Sequence, residues 1–420
     1  MTHIELNSGP VNAYLRKTIR LWLGLKNTQA IEIPEMPDSL RRLFLRVEEY
    51  DKKHRDQWGE WEHSFSLNYQ EGRLWIPEVD YWVSGIREGL RQGKVPLERL
   101  WPDNYDFAVC LTHDVDLISE QATFGQKIRE IRKHLSDKSD VTPGAPSRRL
   151  SNLARPLVRS AITKTYSHPS TERTIEVALE IEREFGVVSS FFFAVCPLRK
   201  YSKYDCVYSL YDPCKFRGKN IRVLQMMRIM SEEGFDIGLH GSYYSATDAE
   251  MLKEQRKMIE DAIGKEVITT RQHWLNWDIN TTPRNQYNAG LLVDSSLGFN
   301  RNIGFRSGTA LPYHFFDVLN QEVIPLLEVP VIIHEGALFG SNALEYDLEM
   351  SLDVVRKLID RIAETNACLA IVLHPHSFLD KTCEELYRWV LHYCVERNGW
   401  LTSLKGINEW WKKRERVLEE

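Results

Sequence analysis

Short apolar runs that each end in a histidine, an arginine or an acidic residue recur along this chain of 420 residues. Such runs, rich in β-branched and aromatic residues, predict buried strands. The polar residues that follow them are Asp114, Asp116, His240, Arg271, His273, His334, Glu335, His374 and His376. A series of strands with polar side chains at their C-terminal ends is typical of the active site of a barrel.

Between these runs, apolar residues recur at helical spacing. The pattern predicts amphipathic helices over residues 174–185, 223–233, 249–263, 352–365 and 383–397. Alternation of strands with helices is typical of the α/β class, with a parallel sheet or a barrel at its centre.

Asp114 and Asp116 lie two residues apart after the first apolar run, residues 107–110. Because side chains alternate along a strand, both carboxylates should point to the same side. Two carboxylates in one partly buried place repel each other and are costly to bury unpaired, and a bound cation is the usual solution. A plain turn at the end of the strand is the alternative, since aspartate is common in turns.

The rest of the sequence divides into segments around the predicted barrel. Residues 1–104 are predicted to form an N-terminal α+β extension that caps the barrel, with a second binding module as the alternative. Residues 105–400 should form the barrel, interrupted by a basic insertion at residues 117–170, and residues 401–420 a charged helical tail. A basic segment beside an active site can attract an anionic substrate or a membrane surface, here through residues 127–164, although a solvated face is the commoner role.

Composition narrows the compartment and the partners. The net charge of −5 argues against a general nucleic-acid binder. No apolar run is long enough to span a membrane, and the N-terminus lacks the pattern of a secretory signal. The seven cysteines include no Cys-x-x-Cys pair, which favours free thiols in a reducing compartment. We therefore expect a cytoplasmic protein.

Several of the polar strand ends, in their order, resemble a known family. The segments are Thr-His-Asp-Val-Asp at residues 112–116, Gly-Leu-His-Gly-Ser-Tyr at 238–243, Arg-Gln-His-Trp at 271–274 and Leu-His-Pro-His at 373–376. Together they resemble the motifs of the polysaccharide deacetylase (NodB-homology) superfamily, to which carbohydrate esterase family four belongs. The resemblance covers about residues 105–400. It implies a distorted (β/α) barrel in which a divalent metal, zinc or another divalent ion, serves the hydrolysis of an N-acetyl or O-acetyl group.

The resemblance also implies roles for five residues. Asp114 matches the family's catalytic base, and Arg271 matches the arginine that holds it; a guanidinium suits that role because it is permanently charged and bidentate. Asp116 matches the carboxylate metal ligand and His240 the first histidine ligand. His374 matches the catalytic acid near the last strand.

One ligand position departs from the family's pattern. The second motif usually supplies two histidines four residues apart, but the residue four after His240 is Tyr244. Because catalytic zinc sites commonly have three protein ligands, another residue should replace it. We expect His273, which faces the same way as Arg271 on a regular strand; a structural or substrate contact is the alternative for it. The remaining candidates are His334, Glu335 and, on the opposite face of its strand, His113.

The expected function is removal of an N-acetyl group from a sugar in polysaccharide or surface-glycan biosynthesis. A cytoplasmic enzyme would meet a nucleotide-linked or lipid-linked precursor of the glycan. Aromatic side chains near strand ends suit sugar rings. The predicted substrate contacts are Trp274, Trp277, Phe305, Arg306, His334, Glu335 and His376. Three alternatives stay open: a hydrolase of a non-sugar amide, a carbohydrate O-acetyl esterase, and a carbohydrate-binding barrel without catalysis.

Overall fold

The computed structural model of the chain describes residues 4–50, 55, 61, 63–118, 126, 128–129, 173–195 and 202–420. The basic insertion, with its predicted contacts through residues 127–164, lies almost entirely outside these residues. Its described arginine, Arg129, donates a hydrogen bond to the Val207 carbonyl oxygen (2.7 Å) and pairs with Asp212. That side chain is therefore bound within the chain.

The centre of the fold is a ten-stranded, mainly parallel sheet. The strands of the described residues are β1 (Phe107–Val115), β2 (Ser190–Ala194), β3 (Pro213–Phe216), β4 (Lys219–Arg222), β5 (Asp236–Gly241), β6 (Thr269–Gln272), β7 (Val293–Asp294), β8 (Tyr313–Asp317), β9 (Glu322–Glu328), β10 (Val331–His334), β11 (Cys368–Leu373) and β12 (Gly399–Thr402). The order in space is β10-β11-β1-β2-β5-β6-β7-β9-β8, with β12 beside β1, while β3 and β4 form a separate hairpin. Neighbouring strands of the large sheet are parallel, except for β8 and β9.

This sheet is strongly curled. Arg271 on β6 reaches Asp114 on β1 (2.9 Å), although β2 and β5 lie between those strands. In a flat sheet three strand spacings would separate them by about 14 Å, which is beyond the reach of an arginine. Val331 at the start of β10 also donates its backbone N–H to the Leu297 carbonyl oxygen shortly after β7 (2.9 Å). The two sides of the sheet therefore meet, and the predicted α/β class with a distorted barrel is confirmed.

Helices follow the strands and cover the outside of the sheet. The helices of the described residues are α1 (Gly9–Leu23), α2 (Asp38–Phe44), α3 (Leu67–Gln70), α4 (Glu78–Gln92), α5 (Thr174–Phe185), α6 (Val223–Glu232), α7 (Ala249–Ile263), α8 (Thr282–Asn288), α9 (Glu335–Phe339), α10 (Leu348–Thr365), α11 (Lys381–Glu396) and α12 (Leu404–Glu419). The predicted helices at 174–185 and 249–263 have these same bounds. Helix α10 begins four residues before its predicted start because the Asp347 side chain caps it, accepting from the Met350 N–H (2.8 Å).

The hairpin of β3 and β4 has no counterpart in the predicted elements. Its turn places Arg217 and Gly218 at φ of 50° and 72°, the left-handed pair that a two-residue hairpin requires. The strands are only four residues each, and alternation over so short a span is a weak signal.

The N-terminal extension packs directly on the barrel. Its described elements are helical, and its β pairing is the isolated bridge between Arg55 and Trp61. Trp22 of α1 is fully buried and donates to the Pro312 carbonyl oxygen (2.9 Å). Asp80 of α4 accepts hydrogen bonds from Thr309 and from the Ala310 N–H. The described extension and the barrel therefore share one continuous apolar core.

Helix α12 contributes to the same core through Trp411, which is fully buried although the segment is strongly charged. Within the described parts of the chain, none of the helices has both the length and the apolar character needed to cross a bilayer.

Candidate active site

The C-terminal ends of β1, β5, β6 and β11 bring the predicted site residues together. His240 and Arg271 are register partners on β5 and β6, and His374 follows β11 directly. Asp114 lies near the end of β1, and Asp116 is the first residue after it. The curl of the sheet turns all five side chains toward one small volume.

Asp114 is held by Arg271 in the interior of this volume. Arg271 is fully buried and donates to Asp114 Oδ1 (2.9 Å), to the Thr112 hydroxyl (2.7 Å), and to the backbone and hydroxyl oxygens of Ser295 (2.6 and 2.9 Å). Burial alone would raise the pKa of Asp114, but the positive Arg271 beside it, with His240 and His374, lowers it below the ordinary value. The Asp114 carboxylate is therefore kept ionised and in one orientation.

Asp116, His240 and His273 form a second arrangement, which we call the metal cluster. Their potential ligand atoms all lie within 4.8 Å of one another. His240 Nε2 is 3.2 Å and His273 Nδ1 is 3.5 Å from Asp116 Oδ1. The two ring nitrogens are 2.8 Å apart. The structure thus places His273, the predicted replacement for the missing histidine, beside both other predicted ligands.

The hydrogen-bond partners of the outer nitrogens determine which nitrogen of each of these two rings carries the hydrogen. His240 Nδ1 faces the Arg271 carbonyl oxygen (3.0 Å), and His273 Nε2 faces the Tyr204 carbonyl oxygen (2.6 Å). A carbonyl oxygen only accepts, so both outer nitrogens must carry hydrogen. In the neutral rings the inner nitrogens are then both lone pairs. Two lone pairs at this distance repel each other, unless a cation lies between them.

A proton or a divalent ion could be that cation. Burial lowers the pKa of His273, but the nearby Cys206 and Asp116 raise it well above the ordinary value. The cluster therefore demands positive charge at the inner nitrogens. One carboxylate and two imidazoles, each held from outside by a backbone carbonyl, are a donor set that fits zinc or a similar divalent metal.

His334, Glu335 and His374 form a third arrangement, the acid cluster. Glu335 Oε1 accepts hydrogen bonds from His374 Nδ1 (2.6 Å), from the His374 N–H (3.1 Å) and from the Ser377 hydroxyl (2.9 Å). His374 Nε2 points toward Asp116 Oδ2, 3.5 Å away. Burial lowers the pKa of His374, but Glu335, together with Asp116 and Asp114, outweighs burial and raises the pKa to about 10. His374 is therefore a partly buried imidazolium directed at the metal cluster.

Glu335 thus has a role that the sequence did not indicate, because it holds His374 rather than lying free for a substrate. His334 and His376 flank His374, with ring centroids 5.4 and 5.2 Å from it. Burial lowers the pKa of both histidines, so they are neutral neighbours of the imidazolium. Their contact with a substrate stays a prediction.

The structure corrects three of the predicted substrate contacts. Trp277 and Phe305 are fully buried, and Arg306 is buried in a two-pronged ion pair with Glu49 of the N-terminal extension (2.8 Å for each bond). The Arg306 guanidinium also lies over Trp277, 5.9 Å from the ring centroid. These side chains join the extension to the barrel, and a substrate cannot reach them in this structure.

Trp274 differs from those three because it is 39% exposed beside the metal cluster. Its ring centroid lies 5.5 Å from that of Tyr204, which in turn lies 5.0 Å from Tyr243. We call Trp274, Tyr204 and Tyr243 the aromatic wall. Trp274 has a φ of 59°, a conformation that non-glycine residues adopt mainly at functional sites and turns. The two tyrosines were not predicted, since neither lies on a strand or a helix with a readable period.

His113 lies on the opposite face of β1, as strand alternation predicts. It is fully buried, with its ring nitrogens at the Leu373 carbonyl oxygen (3.1 Å) and at Glu182 (2.8 Å). It belongs to the packing between the sheet and α5, not to the metal cluster.

No protein-family model and no curated protein matches the chain. Similar solved structures include a "putative polysaccharide deacetylase" from Mycobacterium smegmatis, with 15% identity, a TM-score of 0.48, and coverage of 76% of this chain and 94% of that one. A probable polysaccharide deacetylase from Pseudomonas aeruginosa PAO1 has 14% identity, a TM-score of 0.46, and coverage of 77% and 97%. Puue allantoinase has 13% identity, a TM-score of 0.46, and coverage of 75% and 93%. Similarity this low is insufficient to transfer an activity, and the function must rest on the side chains of this chain.

Proposed function

We propose that the chain is a metal-dependent hydrolase that removes an N-acetyl group from a sugar. The observation that carries this proposal is the metal cluster, in which ring nitrogens of two histidines and a carboxylate oxygen converge within 4.8 Å of one another. Asp114, whose pKa is lowered, and His374, whose pKa is raised, provide a base and an acid next to it. Amide hydrolysis requires a base to activate water and an acid to protonate the departing amine.

Asp116, His240 and His273 would hold the divalent ion, with zinc the first choice for a site of nitrogen and oxygen ligands. When bound, such an ion polarises a carbonyl group and lowers the pKa of water.

In the proposed reaction, Asp114 takes the proton from the attacking water. Its carboxylate is ionised because Arg271 holds Oδ1, and the same contact fixes its orientation. The water oxygen then bonds to the acetyl carbonyl carbon. His374 gives its proton to the sugar nitrogen as the C–N bond breaks, which yields acetate and a free amino sugar. Glu335 keeps His374 protonated until that step.

The aromatic wall supports a sugar as the substrate. Sugar rings present apolar C–H faces that pack on aromatic rings, and their hydroxyls suit the polar groups at a site mouth. Trp274, Tyr204 and Tyr243 provide such a surface beside the metal cluster. A glycan precursor linked to a nucleotide or a lipid, and a role in surface-glycan biosynthesis, belong to the same proposal.

A cytoplasmic location is supported by the thiols. Four cysteines on the sheet or on a helix packed on it are buried free thiols, namely Cys110, Cys368, Cys383 and Cys394. Free thiols persist in reducing compartments.

The test is a substrate panel with the zinc-loaded protein. N-acetylated amino sugars, free and nucleotide-linked, should release acetate, and the His240→Ala variant should release none. Acetate from O-acetylated sugars alone would make the chain an esterase, and ammonia or urea from ureides would make it an amide hydrolase of another class. Sugar binding without turnover of any panel member would leave a carbohydrate-binding barrel.

A further inference from the structure

Cys206 lies beside the metal cluster, although it was not predicted from the sequence as a metal ligand. Its Sγ is 3.7 Å from Asp116 Oδ1 and 3.9 Å from His273 Nδ1. The side chain is partly buried, in an irregular segment that runs from residue 202 to the β3 strand. No strand or helix fixes the position of Cys206. Whether its sulfur is held at the metal cluster therefore depends on the hydrogen bonds of the irregular segment.

Hydrogen bonds hold this segment over the site on both sides of Cys206. Before the cysteine, the Tyr204 carbonyl oxygen accepts from His273 Nε2 (2.6 Å), and Asp205 accepts from the Tyr243 N–H (2.7 Å). After it, the Tyr208 hydroxyl donates to the Val115 carbonyl oxygen (2.7 Å) and accepts from the Ala194 N–H (2.7 Å).

Two of these bonds join the segment to the residues that carry the metal cluster. Val115 precedes Asp116 directly on the chain, and His273 is itself a member of the cluster. The position of the Cys206 sulfur is therefore fixed by the same backbone that fixes the other donors. A preorganised donor of this kind loses little entropy when it binds a metal.

The distances suit coordination. With Zn–S near 2.3 Å and Zn–O or Zn–N near 2.0–2.1 Å, a tetrahedral site places sulfur about 3.5 Å from the other donor atoms. The observed 3.7 and 3.9 Å are close to that span. We propose, on the basis of the function proposed above, that Cys206 is a fourth protein ligand of the metal, together with Asp116, His240 and His273.

A sulfur ligand has a consequence for the choice of metal. Thiolates bind zinc and similar softer ions well, whereas magnesium and manganese prefer oxygen. Four protein ligands would fill a tetrahedral zinc, so water or substrate would have to enter as a fifth ligand, an expansion that some catalytic zinc sites undergo in the transition state. The chain would thus have replaced a histidine of the usual second motif by His273 and added a thiolate.

Cobalt(II) provides a test that does not depend on turnover. The metal-free full-length protein is titrated with Co²⁺, and absorption is recorded in the visible and the near ultraviolet. Visible d–d bands report cobalt in the cluster, and a near-ultraviolet thiolate-to-cobalt band reports sulfur bonding. We expect both bands in the wild-type protein. Cys206→Ser should retain the d–d bands and lose the thiolate band.

The matched control is Cys214→Ser, which removes a buried thiol on β3 and should keep both bands. Zinc affinity should fall in Cys206→Ser by more than the roughly 10–100-fold typical for loss of an outer-shell partner. Cobalt d–d bands without a thiolate band in the wild-type protein would overturn the role of Cys206 and leave the metal cluster intact. Absence of any cobalt binding would overturn the cluster itself, and with it the proposed function.

Discussion

The metal cluster and the acid cluster are built from the same residue types but differ in what holds each imidazole. In the metal cluster, His240 and His273 donate their outer N–H groups to backbone carbonyl oxygens, so their inner nitrogens are lone pairs. In the acid cluster, His374 donates its Nδ1–H to the Glu335 carboxylate. A carbonyl partner brings no charge to the ring and fixes only which nitrogen carries the hydrogen, whereas a carboxylate partner stabilises the imidazolium.

Both clusters bring a carboxylate and two histidines within metal-binding distance of one another, so composition and proximity alone do not separate them. What distinguishes the two clusters is the group that accepts the hydrogen bond from the outer ring nitrogen. It makes the first pair of histidines receptive to a cation and makes His374 a source of protons. The same criterion assigns different roles to neighbouring histidines that a sequence presents as equivalent.

The largest expected difference is between two variants that each remove one imidazole, one from the metal cluster and one from the acid cluster. His240→Ala should lose the metal and all measurable deacetylation, because alanine cannot replace a short, directional metal–nitrogen bond. His334→Ala should retain the metal, because the acid cluster is not expected to bind one. Metal content after dialysis, measured by mass spectrometry, checks both variants. Equal metal loss in the two variants would contradict the distinction between the clusters.

Asp114→Asn should separate the base from the metal. Asparagine keeps the shape of the side chain but lacks a basic oxygen, so metal content should be unchanged. Turnover should fall by roughly 10²–10⁴-fold, the usual contribution of a positioned proton-transfer group. Steady-state kcat and metal content are measured on the same preparation. Loss of the metal together with the activity would instead make Asp114 part of the metal cluster.

Glu335→Gln should weaken the acid cluster without touching the metal cluster. Burial lowers the pKa of His374, whereas Glu335, with smaller contributions from Asp116 and Asp114, raises it to about 10; a neutral glutamine removes the contribution of Glu335. His374 then loses its proton at lower pH, so the alkaline limb of kcat/KM should move to lower pH. Activity on amides should fall by about 10–100-fold, as for other outer-shell partners.

Activated esters should be affected less by the Glu335→Gln change, because their leaving groups need little protonation. An unchanged alkaline limb, or equal losses on amides and activated esters, would argue against His374 as the acid.

The sequence could predict those site residues whose position follows from strand alternation. Asp114, Asp116, His240 and Arg271 all lie at strand ends, and their common direction is a local property of the chain. The strand pattern left a flat parallel sheet and a barrel both open, and the choice of a distorted barrel followed from the resemblance, because the contact between β6 and β1 depends on pairings far apart in sequence.

Other roles at the site could not be predicted, because the positions of those residues depend on contacts between segments far apart in the sequence. Arg306 was predicted to contact the substrate, but it pairs with Glu49 of the N-terminal extension. No local sequence pattern indicates how that extension packs on the barrel. Cys206 lies in an irregular segment, so its approach to Asp116 depends on tertiary hydrogen bonds. Glu335 could have been found from its neighbour in sequence, His334, but its pairing with His374 joins separate strands.

A third buried polar arrangement, a pair of carboxyl groups without a histidine, extends the comparison of the two clusters. Its expected effect, on the pH dependence of stability, is smaller. Asp294 on β7 and Glu328 on β9 are fully buried register partners. Asp294 Oδ2 and Glu328 Oε2 have no hydrogen-bond donor among the described residues. Burial raises the pKa of Asp294 to about 6, and burial with the nearby Asp294 raises that of Glu328 well above its ordinary value. One shared proton would satisfy both oxygens.

That proton makes stability depend on pH in the direction opposite to a salt bridge. The folded chain keeps a proton on Glu328 that the unfolded chain loses above about pH 4.3. The stabilisation is therefore complete at low pH and is lost as the pH rises toward the raised pKa of Glu328. In Glu328→Gln the amide N–H replaces the proton, so melting temperature should fall less between pH 6 and pH 9, on the order of 2 °C for each kcal/mol. The exposed Glu409→Gln change serves as the control, and equal pH slopes in both variants and the wild type would show that Glu328 is already ionised.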